Sequence, residues 1–98
     1  MPAYIIADIG VTDPQGYEEY RARVPAVIAA HGGRYLVRGG AVEALEGGWP
    51  LIRCAVLAFE NMAALKAFWE SPEYRPLRDI RERTAKSRIV AVEGFVPA

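Results

Sequence analysis

The sequence has few of the residues that build disulfides and metal centres. Its 98 residues include one cysteine, Cys54, and one histidine, His31. One cysteine cannot form an internal disulfide, which is typical of proteins from a reducing compartment. Zinc centres need a cluster of Cys and His ligands. We therefore expect neither a disulfide framework nor a metal site.

An excess of positive charge and long apolar runs are also missing. Twelve Lys and Arg balance twelve Asp and Glu, whereas nucleic-acid binding depends on clustered cations. Apolar runs stay short of the 18 or so residues that a membrane span needs. The first residues lack the basic and apolar regions of a signal peptide. We expect a cytoplasmic protein that binds neither nucleic acid nor membrane.

Hydrophobic residues make up 52% of the chain, which is enough for one small core. Apolar, β-branched runs predict strands over residues 4–9, 34–38, 52–59 and 88–92. Apolar spacings of three and four predict a helix between the first two strands and a second after Asn61, with a further helical piece over about 77–85. The order βαββαβ predicts an α+β, ferredoxin-like domain over residues 1–98. It would have a four-stranded antiparallel sheet with helices on one face.

The first helix has clear start and stop signals. Asp13 is a predicted N-cap and Pro14 lies in the first turn, where its missing N–H costs nothing. The pair His31-Gly32 predicts the end, because glycine adopts the left-handed cap readily. Pro25 is a misfit, since proline inside a helix removes a backbone hydrogen bond. We expect a kink or break near Val24.

The first and third predicted strands, which are central in this arrangement, carry apolar residues on both sides. In the first strand Ile5 and Ile9 lie on one side and Tyr4 and Ile6 on the other. Helices can cover only one face of the sheet, and a large exposed apolar patch usually marks an interface. We predict a homodimer through the open sheet face.

Several motifs together resemble the family called domain of unknown function 1330. They are Tyr4 with Ile6, Asp13-Pro14 followed by Tyr17 and Tyr20, His31-Gly32-Gly33-Arg34, Glu46-Gly47, Phe59, Ser71-Pro72-Glu73-Tyr74, Arg81, and Val92-Glu93-Gly94. The resemblance implies a dimeric α/β-barrel, in which two ferredoxin-like sheets close together. That superfamily includes cofactor-free monooxygenases, lactone isomerases, haem enzymes and binding modules, so the fold does not choose a chemistry.

His31 is the first candidate for chemistry, because imidazole titrates near neutral pH and can transfer a proton. The alternative is a helix-terminal histidine that hydrogen-bonds a free carbonyl beside the glycine cap. Tyr20 is the second catalytic candidate, since Tyr17 and Tyr20 lie three apart on one helix face. Core packing is the alternative for both tyrosines.

Five residues are predicted to bind substrate: Tyr17, Arg34, Trp69, Tyr74 and Arg81. The aromatic rings would line a pocket, although helix-spaced aromatics are more often core. Arginine holds carboxylates through its planar fork, and Arg53 is a further candidate for this role because it lies within a predicted central strand. For Arg81 a surface ion pair is the alternative, because charges surround it in the sequence.

Three functions remain open on these observations. The first is a cofactor-free enzyme, monooxygenase- or isomerase-like, that acts on a small organic molecule with His31 in proton transfer. The second is a non-catalytic dimer, small-ligand-binding or stress-associated. Haem binding by His31 is a third, weakly supported by one histidine beside a glycine turn, and we predict no cofactor.

Overall fold

A computed structural model of the chain describes residues 1–49 and 53–97. The elements follow in the order β1 (Ala3–Val11), α1 (Pro14–Ala30), β2 (Arg34–Gly40), β3 (Cys54–Phe59), α2 (Met62–Trp69), α3 (Arg75–Thr84) and β4 (Ala85–Glu93). The sheet has the strand order β2-β3-β1-β4 with antiparallel pairs. This confirms the predicted ferredoxin-like fold. Ile52, where the third strand was predicted to begin, lies outside the described residues.

Helix α1 begins and ends at the predicted signals. Asp13 Oδ1 accepts a hydrogen bond from the Gly16 N–H at 3.1 Å, as an N-cap does. At the other end Gly32 has a φ of +76°, and its N–H donates to Ala29 O at 3.0 Å while the Gly33 N–H donates to Ile28 O at 2.9 Å. This pair of bonds is a Schellman motif, and it turns the chain directly into β2.

Of the kink or break predicted near Val24, the break is wrong, because α1 continues through Pro25 to Ala30; the kink stays a prediction. Proline cannot supply the N–H that would bond the carbonyl of Arg21, four residues earlier. The Arg38 guanidinium takes that place, with Nη2 donating to Arg21 O at 3.1 Å. Since α1 packs against α3 and its buried stripe is part of the core, tertiary contacts hold the helix together across the proline. The buried residues of that stripe are Tyr17, Tyr20, Val24 and Ile28.

The second half of the chain differs from the prediction at its boundaries. Asn61 caps α2 as expected, with its Oδ1 accepting from the Ala64 N–H at 2.8 Å. Helix α3 begins at Arg75 rather than near Leu77, and β4 follows it directly from Ala85 rather than from Arg88. Element ends are the least certain part of any pattern-based assignment, because neighbouring residues satisfy either state.

The helices cover one face of the sheet and leave the other without a layer, as predicted. On the covered face the alternate residues of β1 are buried. On the open face Ile6 lies between Val56 on β3 and Val90 on β4, and Val56 faces Val37 on β2. A row of β-branched side chains therefore crosses all four strands. In this row, 56% of the surface of Val90 is exposed to solvent.

Candidate functional site

A cavity of about 370 Å³ lies between α1 and the helix-covered face of the sheet. Its size falls within the range of about 300–1,000 Å³ that small-molecule sites occupy. Aliphatic side chains from the three strands β1, β3 and β4 form the floor, and α1 forms one wall. The lining residues are Ile5, Ala7, Ile9, Tyr17, Tyr20, Arg21, Val24, Ile28, Tyr35, Arg38, Gly39, Arg53, Ala55, Leu57, Phe68, Trp69, Tyr74 and Ile89.

One end of the cavity is closed by a chain of buried polar groups. The hydroxyls of Tyr20 and Tyr74 lie 3.0 Å apart, and Arg81 Nε donates to the Tyr74 hydroxyl oxygen at 3.4 Å. All three residues are buried. We call Tyr20, Tyr74 and Arg81 the closed end.

Local structure places each member of the closed end. Tyr20 follows Tyr17 by three residues on the inner face of α1, and their rings are 5.3 Å apart. Tyr74 ends a tight turn in which its N–H donates to the Ser71 hydroxyl oxygen at 3.1 Å. The Ser71 hydroxyl in turn donates to Phe68 O at 2.8 Å. The turn therefore fixes the tyrosine that links α1 to α3.

Arg81 is not on the surface, so the predicted alternative of a solvent-exposed ion pair is wrong. Only 4% of Arg81 is exposed, and it shares the inner face of α3 with Leu77 and Thr84. The exposed ion pair on this helix is Arg78 with Glu82, at 3.1 Å. A charge count along the sequence cannot separate the two arginines, because only the helix face decides which is buried.

Burial favours the protonated forms of Tyr20 and Tyr17. It raises the pKa of Tyr20, and the neighbouring Tyr74 phenol raises it further. It also raises the pKa of Tyr17, against the opposing effect of Arg53 and Arg81. For Arg81 burial alone lowers the pKa, but the phenol oxygens of Tyr74 and Tyr20 outweigh it and the net pKa is raised. The closed end thus holds the neutral Tyr20 hydroxyl in a hydrogen-bonded chain that leads to the Arg81 cation.

The open end of the cavity carries arginines and one half-buried tyrosine. Arg21, Arg38 and Arg53 are exposed, and Tyr35 lies beneath the Arg38 guanidinium at 4.8 Å. Burial raises the pKa of Tyr35, and Arg38 opposes the shift. We call these four residues the rim. Among the described lining residues there is no carboxylate and no histidine, so the charged side chains of the lining are all cationic.

A bulge in β2 puts two rim residues on the same face. Tyr35 is opposite Leu57 and Arg38 is opposite Ala55, with register shifts after Tyr35 and after Arg38. Residues three apart on a regular strand face opposite sides, so an inserted residue is required to align them. Sequence reasoning missed Tyr35 and Arg38 for this reason. Gly39, with a φ of +68°, lies in the second shift, whereas the shift that aligns the two residues falls at Leu36, where no glycine indicates it.

The structure brings together five of the seven predicted site residues. Tyr17, Tyr20, Trp69 and Tyr74 line the cavity, and Arg81 reaches it through Tyr74. Arg53 also lines the cavity, at its rim.

His31 and Arg34 do not line the cavity. His31 Nδ1 is 2.9 Å from Val27 O and the ring packs edge-on against Phe68 at 5.9 Å. Arg34 is exposed on β2, opposite Ala58. The imidazole thus makes the carbonyl contact expected of a helix-terminal histidine.

The described residues contain neither a membrane-spanning helix nor a cluster of metal ligands. In residues 1–49 and 53–97, no helix is both long and apolar enough to cross a bilayer. Within the same ranges no three His, Cys, Asp or Glu side chains lie close enough to hold a metal ion.

Comparison with known proteins identifies relatives by family and fold. A family model described as "Domain of unknown function (DUF1330)" matches residues 2–95. No curated protein matches the chain.

Three solved structures illustrate the likeness in fold. A protein of unknown function from Rhodopseudomonas palustris is 18% identical with a TM-score of 0.76, over 98% of this chain and 84% of that one. SnoaB from Streptomyces nogalater, a cofactor-independent oxygenase, is 14% identical with a TM-score of 0.66, over 98% and 95%. A dimeric ferredoxin-like protein of unknown function from Jannaschia is 13% identical with a TM-score of 0.66, over 96% and 100%. At these identities the likeness concerns the fold alone.

Proposed function

The chain belongs to the DUF1330 family, and from the geometry of its own cavity we propose that it is a cofactor-free enzyme acting on a small, largely apolar organic anion. The observation that carries the proposal is the pairing of an aliphatic floor with arginines at one end and protonated phenols at the other. Such a cavity binds a flat apolar body and neutralises an acidic group.

The closed end supplies the chemistry in this proposal. Arg81 Nε donates to the Tyr74 oxygen, which leaves the Tyr74 proton for the oxygen of Tyr20. The Tyr20 proton is then free to donate to a substrate oxygen. A hydrogen-bond chain backed by a cation strengthens as negative charge develops on that oxygen. The substrate would be a carboxylic acid that also carries a ketone or phenol, whose enolate or phenolate reacts, as isomerisation and cofactor-free oxygenation both require. Water at the open end would accept the proton that is lost, since the described lining residues include no base.

SnoaB, which is a cofactor-independent oxygenase, supports the proposal by analogy of fold. The site itself favours a second candidate as well. No base is present among the described lining residues, so the same cavity would serve a non-catalytic protein that binds small organic anions. The proton-transfer role predicted for His31 stays a separate prediction.

Ligand binding can be measured with Trp69 as the reporter. Trp69 lines the cavity and Trp49 does not, so the W49F variant has one tryptophan at the site. We expect 4-nitrobenzoate to quench Trp69 emission with saturation, and the neutral 4-nitrobenzamide to bind at least about tenfold more weakly. The W69F variant, which keeps Trp49, is the control and should show no saturable quenching. Equal affinity for acid and amide would contradict an anion site.

Turnover separates the two candidate functions. Proton NMR in D₂O measures exchange of the methyl hydrogens of 4-acetylbenzoate, which carries both a carboxylate and a ketone, and an oxygen electrode measures oxygen uptake with the same compound. An enzyme of the proposed kind accelerates one of these, and Tyr20→Phe lowers the rate at least about tenfold. Saturable binding of 4-nitrobenzoate with neither activity, over a panel of aryl keto acids, would favour the non-catalytic function.

We also propose that the chain forms a homodimer through the open sheet face. The β-branched row centred on Ile6 and Val56 supports this, since a patch of this kind is rarely left in water. The Jannaschia protein is described as dimeric, which agrees with the proposal. Sedimentation velocity at micromolar concentration should give twice the chain mass of 10.8 kDa.

The interface is tested by placing a charge in the row. Val90→Asp should yield monomers, because an unpaired carboxylate in an apolar interface is costly. Ala67→Asp, on the exposed side of α2, is the control and should stay dimeric. A monomeric wild-type protein would rule out the proposed assembly.

A further inference from the structure

Pro25 and the bulge of β2 meet at a single atom, the carbonyl oxygen of Arg21. Pro25 leaves this oxygen without its helical donor, and Arg38 Nη2 binds it at 3.1 Å. The function proposed above uses the rim arginines but assigns no part to Pro25. Their coincidence at the cavity rim gives Arg38 a defined position that a side chain on an exposed strand does not usually have.

Three contacts hold the Arg38 guanidinium over the cavity. The bulge turns its side chain toward the covered face, the Arg21 carbonyl binds one N–H, and the Tyr35 ring lies under it at 4.8 Å. An arginine has five N–H donors in a fixed fork. One donor is occupied by the carbonyl, so the others are available to a ligand.

The Arg38 guanidinium has no ion-pair partner within the part of the chain that the structure describes. No acidic side chain there forms an ion pair with it, whereas the neighbouring Arg21 pairs with Glu18 at 3.3 Å. An oriented guanidinium without a carboxylate partner is suited to bind one from a ligand.

We propose that Pro25 positions Arg38 as the carboxylate receptor of the cavity, so that the preferred ligands are small aromatic or alicyclic carboxylic acids. This inference rests on the proposed binding of organic anions and adds the residue that recognises them. Pro25 acts through Arg38 and does not contact the ligand. Its helix-interior position therefore serves specificity, because fixing the guanidinium in advance removes the cost of ordering it on binding.

A double-mutant cycle tests both parts, with 4-nitrobenzoate and 4-nitrobenzamide titrated against Trp69 emission in the W49F background. Arg38→Met should weaken 4-nitrobenzoate at least about tenfold and change 4-nitrobenzamide less than about twofold. Arg23→Met, which removes an exposed arginine of α1 paired with Glu19, is the charge-matched control and should change neither.

Pro25→Ala restores an N–H to the Arg21 carbonyl and should release Arg38. We expect 4-nitrobenzoate to bind about three- to tenfold more weakly, the cost of ordering one long side chain, while the melting temperature does not fall, because alanine favours the helix. In the Arg38→Met background, Pro25→Ala should have no further effect on affinity. Loss of binding without loss of stability cannot arise from unfolding.

The outcomes distinguish the two levels of the proposal. If the wild-type site fails to bind 4-nitrobenzoate, the proposed function fails. If the wild type binds and Arg38→Met binds equally well, Arg38 is not the receptor. The positioning role of Pro25 is wrong if Arg38→Met loses affinity for 4-nitrobenzoate while Pro25→Ala keeps it. It is also wrong if Pro25→Ala lowers this affinity equally with Arg38 present and with Met at position 38.

Discussion

The closed end and the rim of the cavity hold positive charge in opposite ways. At the closed end Arg81 is buried and its guanidinium is held by the phenol of Tyr74. At the rim Arg38 is exposed and held by a backbone carbonyl. A buried cation must be fully bonded or the fold loses stability, whereas an exposed one can be removed at small cost. We therefore expect changes at the closed end to lower stability as well as the proposed chemistry, and changes at the rim to affect only the proposed recognition.

The largest expected effect tests this division by truncating the buried cation. Arg81→Ala removes a buried side chain and leaves the Tyr74 hydroxyl without its donor, so the free energy of unfolding should fall by about 2–4 kcal/mol. Urea denaturation followed by circular dichroism measures it. Arg83→Ala, in the same last turn of α3 but exposed, should cost less than about 1 kcal/mol. Equal losses in the two variants would remove the distinction between buried and exposed arginines.

Alkaline pH sharpens the comparison, because the closed end contains the buried Tyr20 phenol, whose ionisation the fold opposes. Burial raises the pKa of Tyr20 in the fold, above the unfolded value of about 10. The protonated phenol is thus favoured in the folded state. Its stabilisation is complete below about pH 10 and declines as the pH rises above that value.

Tyr20→Phe removes one titrating group from this dependence. Between pH 10 and 11 the loss of unfolding free energy should be shallower than in the wild type by up to about 1.4 kcal/mol per pH unit. Urea titrations at half-unit intervals measure the slope. Arg23→Ala removes no phenol, so it is the control and should keep the wild-type slope. A wild-type slope in Tyr20→Phe would mean that the Tyr20 hydroxyl ionises as readily in the folded protein as in the unfolded chain.

The smallest expected effect concerns His31, which belongs to neither end. His31→Ala loses the contact between Nδ1 and Val27 O, which should lower the free energy of unfolding by about 1 kcal/mol. The affinity for 4-nitrobenzoate should stay within about twofold, because the ring does not line the cavity. A tenfold loss of turnover in a folded His31→Ala protein would instead support the proton-transfer role predicted from the sequence.

The sequence alone led to the fold because its signals are local. Asp13, Gly32 and Asn61 set element ends through hydrogen bonds that span only a few residues. Apolar spacing placed the helices and strands, and their order left one sheet face open. The aromatic part of the site followed from the same spacing, since Tyr17 and Tyr20 must share a face of α1.

Only the tertiary structure decided which arginines are buried and which of them reach the cavity. Arg81 and Arg78 are equivalent in a charge pattern, but packing of α3 buries the first and exposes the second. Arg38 reaches the cavity because a bulge reverses its side, and it stays there because a proline in another element frees a carbonyl. These outcomes depend on pairs of residues distant in the chain, such as Tyr20 with Tyr74 and Arg21 with Arg38. Local propensity determines the elements, whereas the partners of long polar side chains are settled only when the elements pack.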